Sequence, residues 1–136
     1  MIHGIGVDLV DIPAFRRQLQ DPASRFAAGV FTPGERLAAQ ARASADPARH
    51  LAARYAAKEA FIKAWSAGRF GQPPLTAAID LRHIEVVTDH WHRPALRLTE
   101  PLAALVGPCR LHLSLSHDGD VATAYVIMEV NTPEVH

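Results

Sequence analysis

The stretch "RYAAKEAFIKAW", residues 54–65, decides how this chain folds. At 100° per residue Leu51, Tyr55, Phe61, Ile62 and Trp65 fall within one broad arc, the stripe that an amphipathic helix turns toward a core. Lys58 falls inside that arc, where its stem can pack but its ammonium must snorkel out or meet an anion. Glu59 lies at the edge of the arc, with Ala52, Ala56 and Lys63 on the same flank. A carboxylate and an amine one turn apart are therefore bordered by methyl groups. One reading is a small-residue floor that leaves room for a ligand. The other is a favoured Glu-to-Lys surface pair worth about 0.3 kcal/mol.

The neighbouring segments show how such a helix would be housed. Asp46-Pro47 gives a cap followed by a proline and starts the longest helical pattern, which runs to about Trp65 before Gly68 and Gly71 break it. "FTPGERLAAQ" carries Thr32 as N-cap, Pro33 at the first helical position and Glu35 three residues after the cap, a capping box. At the start, residues 3–9 alternate, with Ile5, Val7 and Leu9 on one face and Gly4, Gly6 and Asp8 on a face read as open. Asp11 and Pro13 then begin a short basic helix with Phe15 and Leu19 inside and Arg16, Arg17 and Gln18 outside.

Residues 75–115 read as strands and turns. "IEVVTDHWHRPALRLT" predicts a hairpin, and "RLHLSLS" alternates Leu111, Leu113 and Leu115 against His112, Ser114 and Ser116. "HDGD" supplies a turn, and "VATAYVIMEV" reads as a strand covered on both faces. The last few residues read as a loose tail. The sum is an α+β fold, an antiparallel sheet packed against helices with one long helix carrying the site, in a single domain over 1–136.

Composition bounds the function. The 136 residues carry 14 basic and 14 acidic side chains, so no global basic field exists for nonspecific nucleic-acid binding. A charged partner must be met by a local patch. The single cysteine, Cys109, excludes an internal disulfide and points to the cytoplasm. Asp8 and Asp11 interrupt the apolar start where a signal peptide needs a continuous run, and no segment approaches membrane-spanning length.

Singly, Asp8 reads as a strand-end turn cap and His117 as a solvated turn residue. Jointly, Asp8 and Glu59 supply the one or two carboxylates that Mg²⁺ takes alongside phosphates and waters. Glycines beside Asp8 would let a phosphate approach, Lys63 would balance its charge, and His117 could add a donor. The eight His show no zinc-ligand spacing with Cys109, and His90 with His92 stands without further support. The constellation describes a pyrophosphate site.

Five segments, "GIGVDLVDI", "FTPGE", "RYAAKEAFIKAW", "IEVVTDHWHRP" and "LSLSHDGDVATAYVI", resemble over nearly the whole chain the short bacterial type of 4′-phosphopantetheinyl transferase, holo-acyl-carrier-protein synthase. The resemblance implies transfer of the 4′-phosphopantetheine arm of coenzyme A to a serine of apo-acyl carrier protein, with release of 3′,5′-ADP and a Mg²⁺ requirement. It implies Asp8 and Glu59 as metal ligands, Lys63 on the phosphate under attack, and His117 on the coenzyme, with Lys58 expected there too. It also implies a homotrimer with sites between subunits, and docking of the acidic carrier on the region of Arg16, Arg17 and Arg25. Two stretches differ from many members: residues 66–71 replace a compact Gly-Thr-Gly loop, and Asp118-Gly119-Asp120 follows His117 where Ser is common. The base that takes the serine proton is left among a water on the metal, Glu59 and an acid of the partner. Two other readings use the same residues: a Mg²⁺-dependent phosphohydrolase with water as nucleophile, and a non-catalytic trimeric module gripping an acidic helix.

Overall fold

A computed structural model of the chain describes residues 1–41 and 46–131. The expected tail lies outside the described residues. Strand β1 (Ile2–Asp11) leads into helix α1 (Ile12–Gln20), where the Asp11 carboxylate accepts from the Ala14 amide at 3.0 Å and Pro13 occupies the first turn. Helices α2 (Phe26–Val30), α3 (Pro33–Ala41) and α4 (Pro47–Ala67) follow. A 3-10 turn at Leu81–His83 precedes the hairpin β2 (Ile84–Thr88) and β3 (Pro94–Leu98), a short helix α5 (Leu102–Val106), and strands β4 (Arg110–Asp118) and β5 (Val121–Glu129). The caps form as the sequence predicts. The Glu35 amide donates to Thr32 Oγ1 at 3.1 Å while the Thr32 amide donates to Glu35 Oε1 at 2.9 Å, and Asp46 caps α4 through the Arg49 amide.

The main sheet is antiparallel in the order β1-β5-β4, with the hairpin β2-β3 as a separate ladder. Helix α4 lies across one face of the main sheet and is the centre of the core: Leu51, Ala52, Ala56, Ala60, Phe61, Ala64 and Trp65 are all buried along it. The α+β architecture expected from the sequence is the one observed.

Two faces are assigned differently from the sequence reading. In β1 it is Gly4, Gly6 and Val10 that turn to α4, while Ile5 and Leu9 are 56% and 69% exposed. The glycine face is the inner one because the helix backbone comes too close for any side chain. A Cβ on Gly6 would stand 1.8 Å from the Ala60 carbonyl oxygen, and one on Gly4 would stand 1.9 Å from that of Ala64. The alanine flank of α4 therefore makes room for a strand, not a ligand: Ala52 and Ala56 are fully enclosed in the core. In β5, Ala122, Ala124, Val126 and Met128 face the core, whereas Val121, Tyr125 and Ile127 are exposed. Within one chain, β5 is covered on one face only.

The close approach generates a prediction. Gly6→Ala should lower stability by about 3 kcal/mol or more, because the clash is with backbone that cannot rotate away. Gly29→Ala, where a Cβ meets nothing within 4 Å, should leave stability unchanged or slightly raised. Chemical denaturation of both variants checks this, and equal effects would contradict it.

Candidate active site

The register of β1 on β5 pairs Asp8 with Ala124, whose side chain is buried, so Asp8 shares the sheet face that α4 covers. There Lys63 of α4 reaches it. Lys63 Nζ donates to Asp8 Oδ1 at 3.1 Å and to the Val7 carbonyl at 3.0 Å. Glu59 stands one turn earlier on α4, and Tyr55 one turn earlier again. Burial pushes the Tyr55 phenol up, and the carboxylates of Glu59 and Asp8 push it further. Asp8, Glu59 and Lys63, predicted from distant parts of the sequence, are thus gathered at one edge of α4.

Glu59 opens onto a cavity of about 470 Å³ that runs along the end of α4, lined also by Ile62, Trp65, Ser66, Arg69 and Ile79. Its walls are mostly apolar, with charge confined to the Glu59 and Arg69 side chains. The far wall is fixed by Asp80, which caps the 3-10 turn at the Arg82 amide and pairs with the Arg82 guanidinium. That hydrogen-bonded pair holds the Asp80 carboxyl down at about 2.

The donor set suits a hard cation. Two carboxylates on rigid elements, one from a strand and one from a helix, match what Mg²⁺ takes from a protein when phosphate and water complete its shell. Among the described residues no group of three or more His, Cys, Asp or Glu side chains assembles that would form a cage by itself.

His117 is not part of this cluster within one chain. It lies near the end of β4, its Nδ1 3.1 Å from Arg49 Nη1, while Arg49 Nη2 donates to the Gly119 carbonyl at 2.9 Å. Both line a second pocket of about 390 Å³ together with His50, Arg54 and His92. Arg49 sits in the first turn of α4, about 15 Å along the helix from Glu59. The sequence reading missed Arg49; the signal was present in "RHLAAR", residues 49–54, which puts two arginines and a histidine at the start of the helix.

Lys58 is placed otherwise than expected. It is fully enclosed, with Nζ donating to Glu35 Oε1 at 2.8 Å and to the Leu81 carbonyl at 2.9 Å, and lying 5.4 Å from the Phe31 ring centroid. Its anion is Glu35, and an enclosed ammonium presents no surface to a coenzyme. Burial pushes Lys58 below its usual range, and the Glu35 carboxylate opposes that shift. Glu35 is further held by the Val86 amide at 2.9 Å. On α1, Arg16 is paired with Asp46 and Arg17 is exposed, and Arg25, just before α2, is exposed too.

The 4′-phosphopantetheinyl transferase superfamily matches residues 4–126, and the chain belongs to that superfamily. Within it the chain falls among the holo-acyl-carrier-protein synthases. It is 52% identical over 130 residues to the Holo-[acyl-carrier-protein] synthase of Mycobacterium ulcerans, covering 96% of this chain and 98% of that one. An ACPS-CoA complex from Chronobacterium ammoniagenes superposes with a TM-score of 0.89 at 46% identity, covering 94% of this chain and 97% of that chain. Acyl carrier protein synthase of Mycobacterium tuberculosis superposes with a TM-score of 0.78 at 47% identity, covering 96% and 100%. Among the described residues no helix is long and apolar enough to cross a membrane.

The buried ion pair can be tested apart from catalysis. Lys58→Met should cost about 3–5 kcal/mol, since it leaves the enclosed Glu35 carboxylate without its counter-charge. Adding Glu35→Gln should recover part of that loss. A Lys58→Met protein within about 1 kcal/mol of the parent in urea unfolding would contradict the pairing.

Proposed function

We propose that this protein transfers the 4′-phosphopantetheine arm of coenzyme A to a serine of apo-acyl carrier protein, releasing 3′,5′-ADP in a Mg²⁺-dependent reaction. The observation that carries this reading is that Lys63, hydrogen-bonded to Asp8, stands one turn along α4 from Glu59, which lines the cavity. Coenzyme A bound in the Chronobacterium relative supports the choice of donor.

Asp8 and Glu59 would hold the metal, whose chemistry when bound is to neutralise charge on the pyrophosphate oxygens. Lys63, half exposed on a flexible stem, is able to turn from Asp8 to the phosphate under attack and stabilise the charge that builds there. The serine oxygen forms a bond to the β-phosphorus as the bond from that phosphorus to the bridging oxygen breaks. The bridging oxygen leaves with 3′,5′-ADP, and the serine proton passes to a base.

His117 and Arg49, in the second pocket, form a cationic wall suited to the phosphate-rich nucleotide end of the coenzyme. Their separation from Glu59 supports a site shared between copies of the chain. The exposed sheet face supports the same idea: Ile5, Val7 and Leu9 of β1, the strand that carries Asp8, and Tyr125 and Ile127 of the neighbouring β5 form a contiguous apolar surface, and such a surface is suited to a homotrimer interface. Arg17 and Arg25, with Arg16, offer the acidic carrier a local basic patch, and the cytoplasm supplies both substrates.

Incubation with coenzyme A, Mg²⁺ and apo-carrier protein should add the mass of the phosphopantetheine arm to the carrier. Asp8→Asn and Glu59→Gln should each reduce turnover by about a hundredfold or more with little change in unfolding temperature. The double variant should be scarcely worse than either single one. A carrier whose mass does not change, or single variants with normal rate and normal Mg²⁺ dependence, would overturn the proposal.

A further inference from the structure

We propose that Arg16 is a positioning residue for the second pocket: by pairing with Asp46 it withdraws the acid of that wall from phosphates bound there. The inference rests on the reading of that pocket as the place of the nucleotide end of coenzyme A, and it gives Arg16 a task apart from the carrier. Among the described residues that line the pocket Asp46 is the single acid, set against Arg49, Arg54 and three histidines. A carboxylate in that position repels a phosphate and competes with it for the same cations. The chain nevertheless needs it, because Asp46 caps α4 by accepting from the Arg49 amide through Oδ1. Its other oxygen, Oδ2, accepts from Arg16 Nη2. With both oxygens engaged, the carboxylate is held at the cap and its charge is balanced by a residue that does not itself line the cavity.

Arg16 is brought to Asp46 by packing that owes nothing to charge. Phe15, the residue before it on α1, is buried, and its ring lies 5.7 Å from that of Tyr55 on α4. This contact docks α1 beside α4, and Arg16 reaches the helix cap from 30 residues away in the chain. The paired side chains are 37% and 26% exposed, a setting in which an ion pair adds little to stability. Its effect falls instead on the charge that the pocket presents to an anion. Without Arg16, the freed Asp46 oxygen would turn toward Arg49, three residues on, whose guanidinium meets His117 and the Gly119 carbonyl. The cation would then be drawn from the wall where it serves.

Binding of 3′,5′-ADP, measured by titration calorimetry with Mg²⁺ present and no carrier, reads the pocket without turnover. Arg16→Met should weaken that binding about fivefold, and by less at high salt, while the unfolding temperature stays within about 2 °C of the parent. Arg16→Lys, which keeps the positive charge, should bind within about twofold of the parent. Asp46→Asn keeps a capping side chain but loses the charge, and should bind at least as tightly as the parent. The decisive comparison is Arg16→Met made in the Asp46→Asn protein, where the loss should vanish. An Arg16→Met protein with parental affinity overturns the role. So does a loss that persists in the Asp46→Asn background, since Arg16 would then act on the nucleotide directly. A parent protein that binds no 3′,5′-ADP overturns the reading of the pocket, and the role of Arg16 with it.

Discussion

The site depends on a strand and a helix touching backbone to backbone. Gly4 and Gly6 of β1 lie directly against the carbonyls of Ala64 and Ala60, with no space for even a methyl group between them. This contact seats the edge strand deeply on α4 and brings the residue two positions on, Asp8, within reach of Lys63. A longer side chain at either glycine would push β1 outward, and the carboxylate of the strand would part from the carboxylate of the helix. The alternation of a strand carries the consequence to the other face. With glycines inward, Ile5, Val7 and Leu9 must point outward, and an apolar surface is left beside the site. One packing constraint thus sets both the contact of Asp8 with Lys63 and the apolar outer face of β1.

A second constraint keeps the helix in register with the rest of the chain. The Glu35 carboxylate closes the capping box of α3, accepts from Lys58 of α4 and accepts from the Val86 amide of β2. Lys58 adds the Leu81 carbonyl, so the 3-10 turn that forms the far side of the cavity is tied to the same point. Thr32 extends the network by donating to Glu85 at 2.7 Å, and Glu85 is also paired with Arg97 of β3. Burial works against the Glu85 charge, but the hydrogen bonds from Thr32 and Arg97 hold its carboxyl below the usual value. Buried pairs of this sort add little net stability compared with apolar packing, yet they penalise any arrangement that leaves one partner unmatched. Here that penalty fixes how α3, α4 and the hairpin meet.

Much of this was legible in the sequence, and the failures have physical causes. Caps were readable because they are local: Asp11, Thr32 with Glu35, and Asp46 each act within a few residues. The hairpin and β4 were readable from their alternation. The inner face of β1 was not, because hydropathy places glycine with the polar residues, whereas here its missing side chain is what the interface needs. Lys58 could be read as needing an anion, but not as finding Glu35, which is 23 residues away and already explained by its cap. Asp8, Glu59 and Lys63 were legible as a set through their chemistry and the family resemblance. The meeting of Arg49 with His117 was not, since it depends on how β4 is placed against the start of α4.

The central claim is that the glycine contact places the carboxylates of Asp8 and Glu59 on one ion. The most direct measurement is a crystal structure with coenzyme A and Mn²⁺, read by anomalous scattering. The account predicts a single peak with Asp8 and Glu59 oxygens both at about 2.0–2.2 Å, completed by phosphate and water. A peak bound by only one of the two, or an ion seated elsewhere while Lys63 stays on Asp8, would contradict it.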